Sequence, residues 1–304
     1  MSDFFAFGEI LWDVLPSGKH AGGAPFNVTA HLAQIGASAA LISSVGRDEL
    51  GDEILSVAGH KNVNVSFVTR ARIGLPTGTV AVRIDQNGNA TYELVQPVAW
   101  DEITVSPQAL EAVSRARALI YGSLAARSPH NLLQLDRLLQ VKGPVKFFDV
   151  NLRPPFANPA VVMRLARHAD VLKLNDGEVG QLAAWVRTGS AMHAAPRDDE
   201  AIARACQALA HASGVTRICV TRAQDGATFW DAGTLTTVPA PHVEVKDTVG
   251  AGDAFMAGLV VGLTKGTDTR KVLEDAARLG AFVASHYGAT PVLPAEITQP
   301  LRER

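Results

Sequence analysis

The feature that most restricts the fold is a repeated alternation of short apolar runs with helix-period segments along most of the chain. Ala118–Tyr121, Val145–Val150 and Asp170–Leu174 are brief apolar stretches bounded by turn residues, the pattern of strands buried on both faces. Each leads to a helical pattern, at about Pro129–Gln140, Pro159–Arg167 and Asp176–Val186. Phe4–Ile10 reads as a first strand, Pro25–Ile35 as a helix stopped by Gly36, Ala39–Val45 as a strand and Asp48 to about Gly59 as a helix. A helix at Glu200–Ala212 leads into a strand at Arg217–Thr221. Such alternation implies an α/β fold: a mostly parallel central sheet, helices on both faces and right-handed crossovers.

One region breaks the pattern. Thr77–Ile84 and Ala90–Val95 are β-rich and flank Asp85-Gln86-Asn87-Gly88-Asn89, whose Asn-Gly is a strong hairpin signal. With no helix between them, this hairpin is expected to project from the main sheet, either as a flap over a ligand or as a plain surface hairpin. A second hairpin, Ala227–Asp231 with Thr234–Val238, turns at Ala232-Gly233, and Ser190–Asp199 reads as an exposed loop. The expectation is one domain over 1–304, with a small β lid at about 14–21 and 76–100 inserted in it.

The segment Asp247-Thr248-Val249-Gly250-Ala251-Gly252-Asp253 carries the clearest chemistry. N–H groups at a helix start face an anion, and the helix dipole favours negative charge there. Gly250 and Gly252 let a phosphate approach the backbone. Asp253 is then placed to take the proton of an attacking alcohol while the N–H groups hold charge on the moving phosphoryl group. A tight turn with a solvated Asp253 fits the bare spacing equally well.

Further polar groups fall at strand ends, where ligands gather in open α/β sheets. Asp13 follows the first strand and suits vicinal hydroxyls, while Gly22-Gly23 and Asn27 lead into the next helix. Asp149-Val150-Asn151-Leu152-Arg153 delivers a carboxylate, an amide and a guanidinium to the same rim. Asn175-Asp176-Gly177-Glu178 opens a helix; its spacing favours capping over orientation of Mg²⁺-bound water. Trp12, Phe26 and Trp100 are the aromatic residues that could stack on a nucleoside.

Other chemistries are excluded. The chain lacks G-x-x-x-x-G-K-[ST], and Phe255 stands where a dinucleotide fingerprint needs its third glycine. The histidines show no metal-binding spacing, and no G-x-S-x-G elbow occurs. A formal charge of −2 gives no field to recruit nucleic acid. Two lone cysteines, no basic leader and no long apolar run point to a cytoplasmic protein without a membrane span.

Taken together, these residues resemble the ribokinase-like (PfkB) carbohydrate kinases, and most closely bacterial fructokinases. The likeness runs from Gly8 to Pro294 and rests on G-G-x-x-x-N at Gly22–Asn27 and D-T-x-G-A-G-D at Asp247–Asp253. The stretches G-E-I-L-W-D, D-V-N-L-R-P-P and L-K-L-N-x-x-E look like the fructokinase branch. The resemblance implies the ribokinase-like fold and ATP-dependent transfer of a phosphoryl group to the primary hydroxyl of a neutral sugar, D-fructose first. 2-Keto-3-deoxygluconate and ribose are rival acceptors, and a catalytically idle sugar-binding regulator is the alternative of another class.

By the same resemblance Asp253 is the base, and Gly250, Ala251 and Gly252 form the anion hole, with Arg153 near the transferring phosphate. Asp13, Gly22, Gly23 and Asn27 face the sugar. Asn175, Thr221, Gly226 and Ala277 belong to the ATP site, and Glu178 influences Mg²⁺ through water. Family members often carry K⁺, here implied at Asp247, Val249, Val283, His286 and Gly288. Two departures stand out: Ala223 replaces the middle glycine of the nucleotide loop, and Val292 falls where an ion-binding side-chain oxygen is sometimes found. Pairing of two copies through the β lid is a further expectation.

Overall fold

The computed structural model describes residues 2–15, 18–84, 90–189, 194–196 and 198–302, with side chains left out at 15, 81–84 and 90–93. The expected Asn87-Gly88 turn, residues 16–17 of the expected lid, and residues 190–193 and 197 of the expected loop lie outside them.

The strands are β1 (Phe4–Phe7), β2 (Leu11–Leu15), β3 (Gly18–Gly22), β4 (Ala39–Val45), β5 (Asn64–Arg70), β6 (Gly78–Ile84) and β7 (Ala90–Leu94). They continue with β8 (Ala118–Gly122), β9 (Val145–Asp149), β10 (Val171–Asn175), β11 (Arg217–Thr221), β12 (Ala227–Asp231) and β13 (Thr234–Val238). The helices are α1 (Ala24–Ile35), α2 (Glu49–His60), α3 (Pro107–Ser114), α4 (Pro129–Leu139) and α5 (Pro159–Ala166). They end with α6 (Asp176–Thr188), α7 (Asp199–Ser213), α8 (Ala251–Thr264), α9 (Thr269–Ala284) and α10 (Ala295–Arg302).

The main sheet runs β13-β12-β11-β10-β9-β8-β1-β4-β5. Its pairs are parallel from β5 to β11, and the β12–β13 hairpin adds an antiparallel edge. Successive strand residues point to opposite faces. Phe4 and Ala6 therefore join the core under α1, α2, α8 and α9, while Phe5 and Phe7 join the one under α3–α7.

A second sheet, β3-β2-β6-β7, holds the expected projecting hairpin together with residues on either side of Asp13. It begins earlier in the chain than the sequence suggests. The first strand stops at Phe7, because Gly8 takes φ 147° and turns the backbone, so Leu11 already pairs with Gly78 in the second sheet. Trp12 Nε1 donates to the Leu50 carbonyl at 3.0 Å, and Lys19 pairs with Glu53, which ties this sheet to α2. Four elements escaped the sequence reading: β5, α3, α9 and α10. The first is an edge strand with a half-exposed, weakly alternating pattern, and the second has only eight residues. Among the described residues no helix is long and apolar enough to cross a membrane.

Candidate active site

From β1 the chain runs to β4 and β5 on one side and later to β8–β11 on the other. The carboxyl ends of β1 and β8 therefore border the point where strand order reverses, the usual ligand crevice of such sheets. A cavity there is lined by Glu9, Pro25, Gly122, Ser123, Asp149 and Asn151.

Two helices aim their N-termini at this region, and they differ from the rest. Helices α2–α7 and α9 are each capped by a Ser, Asp or Asn side chain. By contrast α1 and α8 start at Gly23 (φ 105°) and Gly250 (φ 79°), with no side-chain cap. A Cβ on Gly23 would stand 2.5 Å from the Glu9 carbonyl, and one on Gly250 would sit 2.6 Å from Ala289 Cα. Ala251 N–H reaches the Thr248 carbonyl at 3.3 Å. The next first-turn amides, Gly252 and Asp253, have no acceptor inside the helix. A Cβ on Gly252 would meet nothing closer than Lys173 Nζ, at 3.6 Å.

Asp253 is half-buried in the first turn of α8 and accepts a 2.8 Å hydrogen bond from Asn27 Nδ2. Burial, reinforced by the charge of Asp149, pushes its carboxyl up to about 6, against the pull of Asn27, Lys173 and Arg153. Asn27 is itself buried. One N–H of its amide is thus given to Asp253, and Oδ1 is a buried acceptor without a partner.

Asp13 lies on β2 opposite His20, with its carboxylate so close over Gly22 that any side chain there would collide with it. Burial raises it to about 6, opposed by His20 and Arg153. Arg153 is exposed, and its charge favours the ionised form of Glu9, Asp13 and Asp253 alike, so all three carboxylates lie within its reach. Glu9 was not among the residues singled out from the sequence. It is 4% exposed, its Oε1 accepts from Ala24 N at 3.3 Å, its Oε2 has no partner, and burial raises it to about 7.

On the expected nucleotide side, Asn175 and Glu178 form a reciprocal cap on α6. Asn175 Oδ1 accepts from Glu178 N at 2.8 Å and Glu178 Oε2 from Asn175 N at 2.9 Å, while Glu178 Oε1 accepts from Leu152 N at 2.7 Å. Both oxygens are engaged by backbone, so Glu178 does not fit a direct metal ligand, although an oxygen can still accept from a bound water. Among the described residues no group of three or more His, Cys, Asp or Glu could hold a metal ion. Beside this cap Lys173 forms a buried ion pair with Asp149 at 2.8 and 2.9 Å. Burial opposes the ammonium, but Asp149, Glu178 and Asp253 outweigh it and hold Lys173 above the usual lysine range. The sequence reading gave Lys173 no role; a lysine inside the strand Val171–Asn175 hints at a buried partner without saying which.

Thr221 ends β11 in register with Asn175. The loop after it closes on itself through Arg222 N to the Gly226 carbonyl at 2.8 Å, and Ala223 adopts φ 45° in place of the missing glycine. The turn survives the substitution by placing an alanine in left-handed backbone. Gly226 keeps φ 93°, where a Cβ would strike the Val238 carbonyl. Ala277 is buried on α9 within the core.

The expected K⁺ residues also converge. Asp247 accepts from Val249 N and Gly288 N, both at 3.0 Å, and its own N–H bonds the Ala284 carbonyl next to Val283. The His286 ring is turned away, stacked on Phe282 with Nδ1 2.8 Å from its carbonyl, so only main-chain atoms of His286 could serve an ion. Each carboxylate oxygen of Asp247 thus accepts from a backbone N–H, and an ion here would have to share those oxygens with these amides. Val292 is exposed and supplies nothing.

Uncapped helix starts, a shared carboxylate–guanidinium cleft and a strand-order switch define a phosphotransferase-type site on a doubly wound sheet. Residues 7–296 match the model of the pfkB family carbohydrate kinases, and the chain belongs to that family. Fructokinase-2 of Zea mays is 28% identical over 326 residues, covering 96% of this chain and 91% of the relative. The fold superposes on Xylella fastidiosa fructokinase with bound ATP at TM-score 0.81 and 23% identity, over 100% of this chain and 99% of that one. A fructokinase double mutant of Vibrio cholerae O395, bound to fructose, ADP and potassium ion, gives TM-score 0.78 at 24% identity, over 99% and 98% of the chains.

Proposed function

We propose that this carbohydrate kinase transfers the γ-phosphoryl group of ATP to the primary hydroxyl of a neutral sugar, with D-fructose as the preferred acceptor. The observation that carries the reading is the 2.8 Å bond from Asn27 Nδ2 to Asp253, which puts a carboxylate of raised pKa beside the uncapped start of α8. Asp253 removes the hydroxyl proton as the sugar oxygen attacks phosphorus in line. The bond from phosphorus to the bridging oxygen breaks, and its electron pair leaves on ADP. The amides of Gly250 and Gly252, that of Ala251 once its 3.3 Å bond to the Thr248 carbonyl is exchanged for phosphate, and Arg153 hold the charge spread over the moving group. Mg²⁺, when bound through the nucleotide phosphates, supplies further charge neutralisation.

On the acceptor side Asp13, the Gly22-Gly23 backbone and the Asn27 amide take the sugar hydroxyls, and the second sheet lies over them as a lid. A neutral sugar fits better than a nucleoside because Trp12, Phe26 and Trp100 are all at most 3% exposed and packed in the cores. Asn175, Thr221, Gly226 and Ala277 border the nucleotide. K⁺, where the protein takes it, would be held by Asp247 and main-chain atoms of Val249, Val283, His286 and Gly288, and would supply positive charge behind the start of α8. The lid also pairs two copies of the chain, a reading that a monomeric mass in solution contradicts. Two free, buried cysteines suit a reducing cytoplasm.

ADP release measured over a panel of neutral sugars, with and without K⁺, tests this reading. Sugar-dependent release that is highest with fructose supports it. Release that is highest with ribose or 2-keto-3-deoxygluconate corrects the acceptor alone, and sugar binding without ADP release overturns it.

A further inference from the structure

Helix α1 carries three polar side chains at a helical spacing, Asn27, His31 and Gln34, so they share one face. Each is bonded to a different part of the centre around α8. Asn27 holds Asp253. His31 Nε2 lies 3.0 Å from the Ala289 carbonyl. Gln34 donates to the Pro291 carbonyl at 3.1 Å and accepts from Leu293 N at 2.9 Å. Lys61 adds a 3.1 Å bond to the Thr290 carbonyl, so three successive carbonyls are held from this side.

His31 is fully buried, and its Nδ1 has no partner. A carbonyl only accepts, so Nε2 carries the proton and Nδ1 is a buried acceptor left unpaired, which costs free energy that an apolar residue would not. The bond it does make is aimed at a sensitive place. Ala289 packs directly on Gly250, so close that a Cβ there would lie 2.6 Å from Ala289 Cα and 2.8 Å from its carbonyl carbon.

We propose that His31 is a positioning residue for phosphoryl transfer: by holding the Ala289 carbonyl it fixes the 288–291 turn against Gly250 and so sets the aim of the first amides of α8. This rests on the reading that those amides receive the transferring phosphoryl group.

The test compares kcat, KM for sugar and ATP, and Tm in the wild type, His31→Leu, His31→Asn and His31→Gln. The glutamine amide can reach the Ala289 carbonyl, whereas the shorter asparagine amide cannot. His31→Leu and His31→Asn are expected to lose about tenfold or more in kcat, with both KM values little changed, and His31→Gln to recover most of it. Should His31→Leu not fold, the Asn and Gln pair alone decides. Wild-type kcat in His31→Asn, or equal losses in Asn and Gln, overturns the proposal, as does a loss confined to KM. Asp253→Asn assayed alongside separates the two levels: turnover in it overturns the functional reading, whereas an inactive Asp253→Asn beside an unimpaired His31→Leu overturns only the role of His31.

Discussion

Asn27 Nδ2 lies 2.8 Å from Asp253 Oδ2, joining two residues 226 positions apart and binding the start of α1 to the start of α8. The bond favours the ionised carboxylate and fixes which oxygen faces the cleft. Asn27→Leu removes it at similar volume. A hydrogen bond to a charged group contributes about 1.5–3 kcal/mol, so kcat/KM is expected to fall by about tenfold or more, as steady-state kinetics would show. A variant within twofold of wild type would mean that the contact does not position the base.

The raised carboxyl of Asp253 fixes the pH dependence of the reaction. Transfer needs the base ionised, so kcat/KM should decline about tenfold per pH unit below an apparent pKa near 6. Arg153 favours the carboxylate. Arg153→Gln removes that charge, which raises the pKa and moves the acid limb to higher pH. A pH profile whose limb stays in place or moves down would remove Arg153 from the electrostatics of the base.

Two glycines of the α8 start separate architecture from catalysis. Gly250 has φ 79° and no room for a Cβ, so Gly250→Ala should lose about 1–3 kcal/mol of stability. Gly252 has ordinary backbone and open space, with its nearest neighbour at 3.6 Å. Gly252→Ala should keep its Tm but lose kcat, because the added methyl occupies the path of a phosphate. Thermal melts and kinetics on both variants check the contrast; unchanged kcat in Gly252→Ala speaks against phosphate approaching there.

The fold was legible in the chain because buried parallel strands and their helices leave long, uniform signals. The hairpin Ala227–Asp231 with Thr234–Val238 has the bounds read from sequence. β5 and α3 were not read, one being a half-exposed edge and the other a two-turn helix, and neither were α9 and α10, which follow α8 with no strand between them to mark an alternation. At the site, the glycine-rich start of α8 and its carboxylate announce themselves locally. Lys173, Glu9 and His31 do not, because their meaning arises only when β10, the end of β1 and α1 meet α8. The spacing of Asn175 and Glu178 suggested a cap, and both halves of that cap are present.

Lys173 and Asp149 are each only 7% exposed as side chains and neutralise one another beside the cleft. Lys173→Met leaves the Asp149 carboxylate buried and unpaired, a loss of about 3–5 kcal/mol. The double variant Lys173→Met with Asp149→Asn removes both charges and should recover part of that stability. Denaturant unfolding of the single and double variants measures the coupling; additive losses would show that the pair is not a unit.

Asp253→Asn is the most direct test of the central claim, that this carboxylate deprotonates the sugar hydroxyl beside the α8 amides. The change is nearly isosteric, and the amide oxygen can still accept from Asn27. Turnover measured by ADP release, with ATP and sugar binding followed by calorimetry, should show activity lost and both ligands still bound. Turnover near that of the wild type would contradict the account.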